Sequence, residues 1–243
     1  MLTRPLGRLS VRCLGSERRA ARGARTVAVG VSGGVDSAVA AMLLKREGYD
    51  VIGVHMINWD SNDEGTTSCV EKEREDAMQV CRSLGIGFHE VNFSREYWHL
   101  VFEPFLDSYR SAATSNPDVA CNRHIKFGRF HEHVLSLGAD YVATGHYARL
   151  RIEPTTERVQ LLKAVDESKD QSYFLSRVRQ QPLQKVCVLL EGLPKLKTEV
   201  RTLAREAGLL VADKKDSVGI CFIGKRRFSD FISSYIDCKM GPF

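Results

Sequence analysis

Short runs of apolar and β-branched residues alternate, from Thr26 onward, with longer stretches whose apolar positions recur every three or four residues. The first pattern is that of strands buried on both faces, the second that of helices. Strands are predicted over residues 26–31, 51–56, 86–93 and 141–144, and helices over 36–47, 70–84, 96–110 and 122–137. Gly48, Gly85 and Gly138 follow three of these helices, where a left-handed residue ends the turn. Polar stretches at 58–68 and 111–119 are predicted loops, the second carrying Asn116-Pro117-Asp118. Strand and helix alternating with short links give βαβ units. Right-handed crossovers then make an α/β fold with a doubly wound parallel sheet.

After Ala148 the pattern changes. Residues 149–152 and 158–162 read as a hairpin around Pro154-Thr155-Thr156. Helices are predicted over 171–178, 198–207 and 228–236, and a strand over 220–223. This places a boundary near residue 150, between a sheet domain over 26–150 and a second, smaller mixed domain over 151–243.

Composition narrows the function classes. Apolar residues make up 43% and charged residues 27%, an ordinary soluble balance. No apolar run reaches the roughly 18–20 residues of a membrane span, so no membrane partner is expected. The formal charge is +5, yet residues 1–25 hold seven arginines against one acid, Glu17, and the remainder is close to neutral. Any RNA contact must therefore come from local patches. The leader, Arg-rich with Leu2, Leu6, Leu9, Val11 and Leu14 interspersed, has the composition of a mitochondrial presequence. The expected location is the mitochondrial matrix; a disordered basic extension and a mispredicted start are the other readings of the same segment.

Two glycine-containing signals fall after predicted strands, at the edge where such sheets bind ligands. The stronger is Gly30-Val31-Ser32-Gly33-Gly34-Val35-Asp36-Ser37, which ends a strand and opens a helix. Gly33 and Gly34 let backbone N–H groups form a phosphate nest, and the helix N-terminus adds its partial positive charge. Ser32 and Ser37 offer hydroxyls, and Asp36 either holds Mg²⁺ or caps the helix. The G-K-[ST] ending of a Walker A loop is missing.

The seven cysteines form no C-x-x-C pair, so neither a zinc site nor an iron–sulfur cluster is expected. Cys121 lies at a predicted helix start with Arg123, His124 and Lys126 nearby, a setting that favours thiolate. A small buried hydrophobe is the alternative there, and is the expectation for Cys69, Cys81 and Cys187. Lys214, Lys215, Lys225, Arg226 and Arg227 surround Cys221. They read either as a solvated charge run or as a hold for thiolate or phosphate.

The S-G-G-x-D-S string resembles the loop of the N-type ATP pyrophosphatases, which cleave ATP between the α and β phosphates. Five further strings narrow the match. They are His55-Met56-Ile57-Asn58-Trp59, Asn116 to Asn122 with Ile125-Lys126-Phe127, Ala143 to Arg149, and Lys169 to Leu175 followed by Gly219 to Gly224. In this order they resemble the tRNA-specific 2-thiouridylases, closely the mitochondrial animal form, from about Thr26 to the final residues. The resemblance implies an adenine nucleotide alpha-hydrolase-like fold.

It also implies roles. Gly30, Val31, Ser32, Gly33, Gly34, Val35, Asp36, Ser37, Met56 and Gly145 would bind ATP, with Mg²⁺ carried on the nucleotide. Asn116, Pro117 and Asp118 would meet the target base, Asp118 as an acid–base group. Cys221 would carry a persulfide and Cys121 would be its partner. Lys169, Asp170 and Gln171 would touch tRNA. The expected activity is ATP-dependent 2-thiolation of a wobble uridine, with sulfur from a sulfur-relay or cysteine desulfurase-type persulfide donor. Ile57 stands where the family usually has Lys. The family also continues past the Cys221 motif into the rest of a central domain and a β-barrel, which this chain is expected to lack. A non-catalytic nucleotide- or tRNA-binding form is the reading from another class.

Overall fold

The computed structural model describes residues 25–59, 67–188, 197–216, 223 and 227–236. The expected presequence and Cys221 lie outside them. Among the described residues, five strands form one parallel sheet: β1 (Thr26–Gly30), β2 (Asp50–Ile57), β3 (Gly87–Asn92), β4 (Tyr141–Thr144) and β7 (Val186–Val188). Their order is β3-β2-β1-β4-β7, and every pairing is parallel. The antiparallel pair β5 (Arg149–Ile152) and β6 (Val159–Leu162) forms the expected hairpin.

β1 is central, and its alternate residues face two different cores. Val27 and Val29 join Val51, Tyr141 and Ala143 beneath α1 (Val35–Arg46) and α2 (Thr67–Leu84). Ala28 joins Val54 and Val142 on the opposite face, under the helical stretches 94–110 and 117–136. A strand covered on both faces has no polar positions to offer, so it reads as a continuous apolar run. α1 is buried nearly all round, from Ala38 to Leu44. It lies against the sheet on one side and against the Lys197–Glu206 helix on another, in the core that also holds Val200, Leu203 and Ala204. Full burial of a side chain such as Leu44 stabilises the fold by about 1.5–3 kcal/mol.

The chain therefore returns to the sheet after residue 150: β7 pairs with β4, and the Lys197–Glu206 helix shares the core of β1 and α1. A third apolar cluster, Phe127 with Leu150, Val159, Leu175, Leu183 and Val186, seats the hairpin on the 117–136 helix. Helical stretches differ from the sequence expectation at two points. Helix 94–110 begins two residues early and passes through a π-helical segment at Trp98–Phe102. The second helix starts at Pro117, inside the expected loop, and is π-helical over Asn122–Arg129. No described helix is long and apolar enough to cross a membrane.

Candidate active site

Strand order reverses direction between β1 and β4. β1 leads to β2 on one side, while β4 borders β7 on the other. The loops leaving their carboxyl ends therefore diverge and open a crevice. The 30–37 loop fills one lip. Gly33 is left-handed (φ +70°), and a side chain there would strike the backbone of Glu73 in α2. Gly34 is the cap residue of α1, and no side chain caps that helix. The backbone N–H groups of its first turn are thus presented at the crevice in the manner of an anion site.

Ser37 does not present its hydroxyl outward as expected. It is buried, receives the Ser32 N–H at 3.2 Å and donates to the Gly34 carbonyl at 3.2 Å, bracing the loop from within. Ser32 is exposed. Asp36 is not the cap; its Oδ1 accepts from the Tyr147 hydroxyl at 2.7 Å. Met56 packs against Gly30, where an added Cβ would lie 3.2 Å from its Cε. Beside it on β2, buried His55 meets the Val31 carbonyl through Nδ1 at 3.0 Å.

The other lip is Gly145-His146-Tyr147. A Cβ on Gly145 would lie 2.7 Å from the Ser37 nitrogen and 2.9 Å from the Asp36 carbonyl carbon, so the β4 edge lies directly on the helix start. His146 is buried. Desolvation first, then the Lys126 charge, holds its pKa well below the usual histidine value, so the ring is neutral. Lys126 Nζ stands 3.5 Å from Nε2 and Thr144 Oγ1 2.8 Å from Nδ1. An ammonium only donates, so Nε2 accepts and the ring proton sits on Nδ1, donating to Thr144.

Lys126 belongs to the helix that carries the expected base-contacting residues. Asn116 is its cap: Oδ1 accepts from the Asp118 N–H at 2.9 Å and the Val119 N–H at 3.3 Å, and Pro117 occupies the first turn. Burial raises the Asp118 pKa, opposed by the Lys126 charge. Cys121 is a full turn inside this helix, not at its start, and is 4% exposed. It lies in the apolar cluster with Ala28, Ile125 and Val142. Ile223, two residues past Cys221, belongs to the same cluster.

The expected tRNA-contacting string is held by internal partners. Lys169 Nζ donates to Asp216 Oδ2 at 3.3 Å. Asp170 accepts from the Ala164 N–H at 2.7 Å and from Ser172. Against some burial, these bonds hold its carboxyl below the usual range. Gln171 and Tyr147 exchange two bonds, at 2.8 and 2.9 Å. Sequence reasoning missed Tyr147 as the partner of Asp36 and placed Lys214 around Cys221. Among the described residues Lys214 meets Asp76 Oδ2 at 2.5 Å and the Gly33 carbonyl at 3.0 Å.

Residues 25–225 match the model for the tRNA methyl transferase HUP domain. The chain belongs to that family. Among relatives, the tRNA-specific 2-thiouridylase MnmA of Bacillus licheniformis is 52% identical over 215 residues, covering 88% of this chain and 57% of the relative. The enzyme of the same name from Bacillus pumilus is 51% identical over the same shares. The chain thus spans 57% of the length of these curated relatives. Solved structures of similar outline include an NMN synthetase from Francisella tularensis, 18% identical, with a TM-score of 0.48 over 80% of this chain and 67% of that one.

Proposed function

We propose that this chain carries out ATP-dependent 2-thiolation of the wobble uridine of mitochondrial tRNAs, in the matrix. The observation that carries the reading is the meeting of two strand ends. An uncapped helix start is pressed against Gly145 at the switch point, and the neighbouring helix brings Lys126 and Asp118 toward the same edge. The names of the relatives at 51–52% identity support the substrate class.

In this reading the first turn of α1 and Gly33 hold the phosphates, while Met56 and Gly145 border the nucleotide. Asp36 would hold the magnesium that accompanies the triphosphate, where the ion would neutralise phosphate charge. Asn116, Pro117 and Asp118 receive the base, which must leave the anticodon stack to enter. The uracil C2 oxygen attacks the α-phosphorus and pyrophosphate leaves. The terminal sulfur of a persulfide on Cys221, loaded by a sulfur-relay or desulfurase-type donor, attacks C2 and AMP leaves. The Cys121 thiolate then attacks the Cys221 sulfur. The new C2 sulfur is freed and a Cys121–Cys221 disulfide is left for a thiol reductant. Lys169, Asp170 and Gln171 are proposed to lie along the tRNA path, with the Lys169 charge moving from Asp216 to a phosphate.

The test gives the purified chain ATP, Mg²⁺, a persulfide donor and unmodified tRNA, and reads thiolated uridine and AMP by mass spectrometry. Product from the wild type and none from Cys121→Ser or Cys221→Ser is expected, with ATP affinity within about tenfold of normal in both variants. Equal product from either variant removes the cysteine roles. ATP binding without product leaves the non-catalytic binding form. Activity that depends on protein-bound iron overturns the persulfide route.

A further inference from the structure

Residues 212–216 connect three motifs that sequence reading treats separately. Lys214 Nζ donates to the Gly33 carbonyl in the nucleotide loop at 3.0 Å and to Asp76 Oδ2 of α2 at 2.5 Å. Arg201 holds the same segment from the other side. Its guanidinium donates to the Ala212 carbonyl at 2.7 Å, the Lys214 carbonyl at 2.7 Å and Asp216 Oδ1 at 2.8 Å. The second oxygen of Asp216 accepts from Lys169 at 3.3 Å. Both Lys214 and Asp76 are mostly buried, with 28% and 20% of their side chains exposed. A pair this far from water is held in one geometry more firmly than a surface pair. Glu73, one turn before Asp76, also feels the Lys214 charge.

We propose that Lys214 is a positioning residue, clamping the segment that leads into the Cys221 motif onto the nucleotide loop so that loop occupancy and placement of that segment are coupled. The inference rests on the nucleotide reading above. Gly33 is the point of contact: it is left-handed at φ +70°, and its carbonyl accepts from Lys214 between the exposed Ser32 and the first turn of α1. The contact is to a carbonyl and a carboxylate, not to a group that reacts, so the residue acts through the segment it holds.

The test is hydrogen exchange of the full chain with and without ATP-Mg²⁺, following peptides that cover 209–216. In the wild type, ATP is expected to slow exchange there. In Lys214→Met that response is lost while ATP affinity stays within about threefold, under 0.7 kcal/mol. Lys214→Arg restores it, and Asp76→Asn, a milder change should the Met variant fold poorly, halves it or more. In thiolation, Lys214→Met lowers kcat with little change in the KM for ATP, as expected for misplacement of a reacting group. ATP binding with unchanged wild-type exchange at 209–216 overturns the clamp and leaves the proposed function standing. Failure of the wild type to bind ATP removes both. A Met variant that loses ATP affinity and melting temperature together makes Lys214 structural and also overturns the proposal.

Discussion

The hydroxyl of Tyr147, just past β4, donates to Asp36 Oδ1 on the first turn of α1 across 2.7 Å, closing a link between residues 111 positions apart. Burial first, and then the Asp36 charge, raises the phenol pKa. The proton therefore stays on Tyr147 throughout the physiological range, and the carboxylate is always the acceptor. Tyr147→Phe removes one charge-assisted bond from the group proposed to face magnesium. Its expected effect is about tenfold weaker ATP binding in calorimetry, the scale of one such bond, with the fold intact. Unchanged affinity places Asp36 outside the nucleotide contact.

Gly145 and Gly138 make a matched pair of tests. A methyl group at Gly145 meets the Ser37 nitrogen and the Asp36 carbonyl carbon, backbone atoms that no rotamer change moves aside. At Gly138 it meets nothing within 4 Å, although φ is +95°. Gly145→Ala is expected to weaken ATP binding by more than about tenfold. Gly138→Ala is expected to cost about 1 kcal/mol of stability from backbone strain, with normal ATP affinity. Equal losses of affinity in the two variants count against the crevice as the nucleotide site.

Asp118 gives a pH signature. Burial raises its pKa and Lys126 pulls it back. If the ionised carboxylate is the working form, thiolation falls as pH drops through that raised value. Lys126→Met removes the opposing charge, so the acid limb of the rate profile moves to higher pH, whereas Lys126→Arg leaves it near its original position. An acid limb that stays in place in Lys126→Met detaches Asp118 from the rate.

Cys81 is inert for a clear reason. It is fully buried, packs against Gly53, and desolvation pushes its thiol up to about 11. Alkylation of the native protein at pH 8 is expected to leave Cys81 unlabelled until denaturant is added, as read by peptide mass mapping. Rapid labelling in the native state contradicts the packing of α2 on β2.

The parallel sheet was legible because strands buried on both faces are apolar throughout, and Gly48, Gly85 and Gly138 mark helix ends with positive φ. The start at Pro117 was missed, although Asn before Pro before Asp is a cap followed by a first turn. Reading that string as loop shifted Cys121 to a helix start it does not occupy. Other features leave no local trace. β7 is three residues long and owes its existence to pairing with β4. The π-helical stretch at Asn122–Arg129 has no counterpart in the spacing of its apolar residues, which reads as ordinary helix. The contact of Lys214 with Gly33, which is 181 positions away, is set by tertiary packing and leaves no local sequence signal.

The reversal of strand order between β1 and β4 means that the crevice exists only once strands from distant parts of the chain have paired. No fragment that stops before β4 can hold both lips. A nucleotide that binds there recognises the completed sheet and ignores the unfolded chain. At a hundredfold excess over its dissociation constant it shifts the folding balance by about 2.7 kcal/mol. Under the proposed reading, bound ATP would thereby lower the share of unfolded chain open to proteolysis.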